Sequence, residues 1–135
     1  MIYKVIIDTN VFISSRISAL GNPAKIMRLI ADGQIEFYYS SDILDEYKRV
    51  LSYEKFNFSI ASQELAIEDI ENIGILIEPS KSKMPLPDES DRVFYDAAKT
   101  VEAYLITGNL KHYPKESHIL TPTQFIDSIN IIDRR

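Results

Sequence analysis

The chain has 135 residues, 45% of them hydrophobic and 26% charged, with 15 basic and 20 acidic side chains and a net charge of −5. That length and balance predict one folded domain over residues 1–135 and argue against disorder. With no cysteine and only two histidines, disulfides, thiolate metal sites, a cysteine nucleophile and a histidine-rich metal site are all excluded.

The acidic balance argues against a broad phosphate-wrapping surface, yet it suits a local acidic metal centre or a basic partner. No apolar run is long enough to span a bilayer, and the N-terminus lacks a signal-peptide profile. A cytoplasmic protein with no membrane partner is therefore expected.

In chain order, Tyr3 to Ile7 is a short β-branched run without polar alternation, which predicts a strand buried on both faces and cut off at Asp8-Thr9-Asn10. Pro23 suits a first helical turn, and Ile26, Met27, Leu29 and Ile30 continue that helix until Gly33. Phe37-Tyr38-Tyr39 reads as the second strand, with Ser40 or Ser41 as cap of the next helix. A helix over about Gln63 to Asn72, a strand at Ile75 to Ile77 and a loop from Lys81 to Pro87 follow.

The remaining elements are a helix from near Asp91 to Val101, a strand over Ala103 to Thr107, a short strand at Ile119-Leu120 and a closing helix over Pro122 to Ile129. Alternating strands and helices predict an α/β protein, a three-layer α/β/α sandwich around a mainly parallel sheet. Ligands of such sheets sit beyond the carboxyl ends of the strands, which singles out Asp8 and Asn109.

Helical arithmetic sorts the remaining acids. Ile43, Leu44, Tyr47, Val50 and Leu51 form one apolar stripe, with Glu46 on its border and Asp45 and Arg49 facing away. In the later helix Val93, Phe94, Ala97, Ala98 and Val101 form the stripe; Asp91 borders it, while Asp96 and Arg92 are expected outside. Each acid also has a plainer role. Asp8 can be a turn residue bonded to the Asn10 backbone, Glu46 a snorkelling edge residue, and Asp88 with Asp91 an acidic capping box. Against those readings, carboxylates converging at one sheet end repel unless a cation neutralises them. Oxygen donors without thiolates select a hard ion, Mg²⁺ with Mn²⁺ as substitute, suited to phosphodiester hydrolysis.

The segment Val5-Ile6-Ile7-Asp8-Thr9-Asn10-Val11-Phe12, Glu46 after the second strand, Asp88-Glu89-Ser90-Asp91, and Leu105-Ile106-Thr107-Gly108-Asn109 together resemble the ordered motifs of PIN-domain ribonucleases. The similarity is closest to the stand-alone bacterial or archaeal type described as toxins of toxin–antitoxin pairs, and it covers nearly the whole chain. The resemblance implies a PIN-like sandwich that cleaves RNA with Mg²⁺. It makes Asp8 the central metal ligand, Asp91 the second, Glu46 a holder of metal or its water, and Thr107 and Asn10 hydrogen-bonding supports of Asp8.

Asn109 stands where many relatives carry a fourth aspartate, which favours one metal ion over two. Asp88 is the residue that can compensate. On the substrate side, Arg16 in the loop after Asp8, together with Lys111 and His112, are the candidate phosphate contacts, and Tyr113 is a candidate stacking surface. An antitoxin helix in an aromatic groove and a second copy of the chain are the expected protein partners. Two readings stay open beside the nuclease: a non-catalytic PIN-like interaction module, and an aspartyl phosphotransfer domain.

Overall fold

The computed structural model describes residues 2–133; Met1, Arg134 and Arg135 of the expected domain lie outside them. Five strands form one sheet in the order β3-β2-β1-β4-β5, and every pairing is parallel. The strands are β1 (Tyr3–Ile7), β2 (Ile35–Tyr39), β3 (Gly74–Leu76), β4 (Tyr104–Ile106) and β5 (Ile119–Leu120). Val5, Ile6 and Ile7 are successive residues and all are buried. Helices therefore cover both faces of the sheet, as a continuous apolar run requires.

Among the described residues five helices lie between strands, α1 (Thr9–Ile17), α2 (Asn22–Ala31), α3 (Ser41–Leu51), α4 (Ile60–Ile73) and α5 (Arg92–Val101), and α6 (Pro122–Asp133) follows β5. Gly21 precedes α2, Pro23 lies in its first turn, and Gly33 follows with φ +79°, the left-handed region glycine adopts without strain. Ser40 caps α3, its hydroxyl accepting from the Ile43 N–H at 3.2 Å. Register starts from Tyr3 opposite Ile35 on one side of β1 and Val5 opposite Tyr104 on the other.

Two expectations need correction. The segment after Asp8 is not a loop but α1, so Arg16 sits on a helix. Its buried residues, Thr9, Val11, Phe12 and Ile13, are bunched rather than spaced at helical intervals. The period that reveals an amphipathic helix is therefore absent.

The second concerns Asp96, expected outside and in fact 4% exposed. Residues 80–84 lie as a strap over that side of α5. The Ser82 N–H donates to Asp96 Oδ2 at 3.1 Å and the Ser80 N–H to Thr100 Oγ1 at 3.0 Å. The Arg92 guanidinium donates to the carbonyl oxygens of Ser82 and Met84. Helical spacing within α5 cannot register a cover supplied by another segment.

Candidate active site

β1 is the central strand: the chain runs from it to β2 and β3 on one side, then crosses back from β3 to β4, on the other side of β1, and on to β5. A crevice opens at the carboxyl ends where the order reverses. Asp8 follows β1 directly, and its backbone N–H still donates to the Ile106 carbonyl of β4 at 2.9 Å. It is the N-cap residue of α1, but its side chain makes no cap bond. The carboxylate, in a residue only 7% exposed, instead accepts two hydrogen bonds on Oδ2. One is from the Thr107 hydroxyl at 2.7 Å and the other from the Tyr113 hydroxyl at 3.1 Å. The plain turn-aspartate reading is not what forms.

Thr107 is fully buried, and its Oγ1 also accepts from the Asn109 N–H at 3.1 Å. With that bond in place, its own proton points to Asp8. Burial pushes the Asp8 carboxyl above the ordinary range for aspartate; the bonds from Thr107 and Tyr113, the Thr9 N–H and the nearby His112 oppose that shift. Asn10, the other expected support, is exposed in the first turn of α1 and makes no side-chain hydrogen bond to Asp8. Tyr113, considered above as a stacking ring, fills that role.

Asp91 closes the short 3-10 turn Glu89–Asp91 and precedes α5 without capping it. Its side chain is 13% exposed. Oδ2 is buried with no hydrogen-bond partner, although Nδ1 of His112 lies 3.2 Å away in an orientation that makes no hydrogen bond. The carboxyl is pushed up to about 6, first by burial, then by the charge of Asp8; His112 pulls the other way, and Asp88 and Glu46 add smaller repulsion. The charges of Asp8, Asp88 and Glu46 thus all act on Asp91.

Asp88 is exposed, and its Oδ1 accepts from the Ser90 N–H at 2.9 Å and the Ser90 hydroxyl at 2.8 Å. These bonds hold its carboxyl below the ordinary range. Asp88 builds the turn and leaves Asp91 free of it. Asn109 has a comparable task, with Oδ1 accepting from the Lys111 N–H at 3.3 Å at the start of the 3-10 turn Leu110–His112. That turn delivers His112 to Asp91 and Tyr113 to Asp8. Lys111 is exposed on it.

Glu46 lies on α3, where its Oε2 accepts from Arg49 Nη2 at 2.6 Å. The next residue, Tyr47, is fully buried and donates its hydroxyl to the Ile7 carbonyl at 2.5 Å. It stacks on Phe12 with ring centroids 4.4 Å apart. This tyrosine ties the helix bearing Glu46 to the residue before Asp8. Its place in the stripe was readable in the sequence; its hydroxyl's partner was not. Arg16, at the far end of α1 from Asp8, is paired with Asp69 of α4 at 2.9 Å.

Among the described residues, no three His, Cys, Asp or Glu side chains are gathered into a ready-made metal cage. Of the expected ligand set of Asp8, Asp91 and Asp88, Asp88 is the exposed member, with Oδ1 engaged by Ser90. Asp8 is buried and Asp91 partly buried; desolvation raises both carboxyls, and Asp91 Oδ2 accepts no hydrogen bond. One or two carboxylates completed by water are what Mg²⁺ accepts, so this donor set fits a single hard cation.

Comparison with known proteins agrees with this architecture. The chain is 32% identical over 109 residues to the uncharacterized protein MJ1680 of Methanocaldococcus jannaschii, covering 78% of this chain and 70% of that protein. A crystal structure of VapBC2 from Rickettsia felis bound to a DNA fragment from their promoter is similar in fold, with a TM-score of 0.60 and 16% identity over 87% of this chain and 96% of that one. Residues 4–111, which include every acid described above, match the PIN domain family, and the chain belongs to it.

Proposed function

We propose that the protein is a divalent-metal-dependent endoribonuclease, using Mg²⁺ or Mn²⁺ at Asp8 and Asp91 to hydrolyse RNA phosphodiester bonds. The observation that carries this reading is the buried, unsatisfied Oδ2 of Asp91 beside a second buried carboxylate. Two acids kept together at that cost are stabilised by a cation. PIN domains are generally nucleases, which supports the same reading. When bound, the ion supplies Lewis acidity at the scissile phosphate and lowers the pKa of attacking water.

The chain's own residues do the rest. Thr107 and Tyr113 fix the direction of the Asp8 carboxylate, the turn capped by Asp88 presents Asp91, and Tyr47 sets Glu46 at the rim. Lys111 and His112 lie where substrate phosphates approach, with His112 nearest the acids. Arg16, engaged by Asp69, is left out of the substrate set. Asn109 is assigned to shaping the turn, which leaves one ion rather than two.

The fold likeness to VapBC2 favours a toxin role restrained by an antitoxin protein, and a cytoplasmic location is part of the same proposal. Among the described residues no helix is long and apolar enough to cross a membrane. The test is cleavage of a panel of short RNAs by purified protein in Mg²⁺, Mn²⁺ or EDTA, beside Asp8→Asn and Asp91→Asn. Metal-dependent cleavage lost in both variants is expected. A wild type inert on every RNA, with Mn²⁺ bound no better than by Asp91→Asn, returns the chain to the non-catalytic module.

A further inference from the structure

Arg92 follows Asp91 directly, and every N–H of its guanidinium is spent. Nε and Nη2 grip the Glu89 carboxylate side on, at 2.7 Å to Oε2 and 2.7 Å to Oε1. Nη1 donates to the carbonyl and the hydroxyl oxygen of Ser82, each at 2.9 Å. Nη2 also donates to the Met84 carbonyl at 2.6 Å. Those bonds use all five donors that a guanidinium carries. None is left for Asp96, whose Oδ1 is buried, accepts no hydrogen bond and lies 3.8 Å from Nη1.

That distribution is informative. An arginine one turn before a buried aspartate has a charged partner within easy reach, yet this guanidinium is held off it by two other segments. Three of its N–H groups go to the strap and two to Glu89. Ion pairs at this helical spacing are weak when both side chains are solvated. Here the pair is bidentate and the arginine side chain is only 20% exposed. Glu89 opens the 3-10 turn that Asp91 closes. The Asp88 cap and one backbone bond, from the Asp91 N–H to the Asp88 carbonyl at 3.2 Å, hold that turn from its N-terminal side. The fork on Glu89 holds it from the other.

We infer that Arg92 is a positioning residue for the cation: it clamps the turn carrying Asp91 to the strap of residues 80–84, and so fixes the direction in which Asp91 offers its carboxylate. This inference rests on the nuclease reading and adds to it a residue that touches neither metal nor RNA. Lysine cannot replace the clamp, because a point charge with three donors cannot span Glu89 and two carbonyls in one plane. The coupling is also mutual. An ion that orders Asp91 orders the strap through the same guanidinium.

The test compares wild type, Arg92→Lys, Arg92→Gln, Glu89→Gln, the double variant Arg92→Gln with Glu89→Gln, and Arg16→Gln, with circular dichroism confirming folding. Mn²⁺ affinity is read by isothermal titration, and kcat and KM on a short RNA. Both Arg92 variants are expected to weaken Mn²⁺ binding about 10-fold and to lower kcat with KM for RNA little changed. Glu89→Gln moves both in the same direction, and the double variant loses no more than Arg92→Gln alone, since one contact is removed twice. Arg16→Gln, a cation paired with Asp69, changes neither. Hydrogen exchange over residues 80–84 is expected to slow on adding Mg²⁺ in wild type and not in Arg92→Gln. An arginine that served stability alone would shift exchange equally with and without the ion.

Folded Arg92→Gln that binds Mn²⁺ as tightly as wild type overturns the clamp, as does a strap whose exchange ignores Mg²⁺. Should Arg92→Gln fail to fold, Glu89→Gln, made at a side chain 69% exposed, decides in its place. A wild type that binds Mn²⁺ with this dependence and cleaves nothing refutes the nuclease reading and leaves the clamp standing. A wild type that binds no divalent ion overturns both.

Discussion

Two aspartates are almost equally buried in this molecule, and their surroundings differ in kind. Asp96 is met by a strap: a backbone N–H donates to Oδ2, and Arg92 Nη1 stands 3.8 Å from Oδ1. Its charge is answered by a cation. Asp8 is met by two neutral hydroxyls and, across the crevice, by another acid. The first arrangement closes a surface with a cation nearby, although Asp96 Oδ1 accepts no hydrogen bond. At the second, the charge of Asp8 acts on Asp91, whose Oδ2 also accepts no hydrogen bond, and the His112 imidazole rather than an arginine stands beside the pair. What separates the two is the charge nearby, an arginine at Asp96 and another acid at Asp8, and not the number of satisfied oxygens.

The sharpest break in that comparison is chemical. Asp8→Asn is expected to reduce metal-dependent RNA cleavage by at least about 100-fold, measured as initial rate, whereas Asp96→Asn in soluble, folded protein retains activity. If both variants lose activity equally while folded, the division between the two aspartates fails.

Stability moves the other way. Asp96→Ala strands the Ser82 N–H and loosens the strap, and is expected to cost about 2 kcal/mol in urea unfolding. Asp91→Asn relieves repulsion at neutral pH and is expected to stabilise metal-free protein by about 2 kcal/mol while weakening Mn²⁺ binding.

The pH dependence follows from the same carboxyl. Folded Asp91 holds its proton to about pH 6, while the unfolded chain releases it near 3.8. Between those values the folded state binds more protons, so the Asp91 contribution falls as pH rises from about 4 to 6 and stays low above. Melting in EDTA should show that decline in wild type and lose it in Asp91→Asn. Saturating Mg²⁺ should raise Tm more at pH 7.5 than at pH 5; an equal rise at both would separate the ion from Asp91.

The smallest effect is at Asn109. Aspartate caps a turn as well as asparagine does, so Asn109→Asp should change stability by under about 0.5 kcal/mol. With Oδ1 committed to the Lys111 N–H, Mn²⁺ affinity should hardly move. Marked tightening in isothermal titration would put residue 109 among the ligands after all.

These contrasts also mark what one sequence discloses. Strand positions were legible because consecutive buried residues make β1 and β4 conspicuous, and Asp8 and Thr107 follow from where those runs stop. Asp91 and Glu46 were legible as stripe-border residues on helices. α1 was hidden by its bunched apolar residues, and the burial of Asp96 by a cover from another segment. Tyr113 was misassigned because its partner lies 105 positions earlier in the chain. Spacing along one element reveals which face a side chain occupies, but not who arrives from elsewhere to meet it.

That separation has a temporal side. The groups that hold Asp8 come from β4 and the turn after it, 99 and 105 residues downstream, and chains emerge N-terminus first. A partly synthesised protein on the ribosome has the central carboxylate but neither hydroxyl that aims it, nor β4 beside β1. The arrangement around Asp8 can therefore assemble only after residues 107 and 113 have been made, late in synthesis of the described residues.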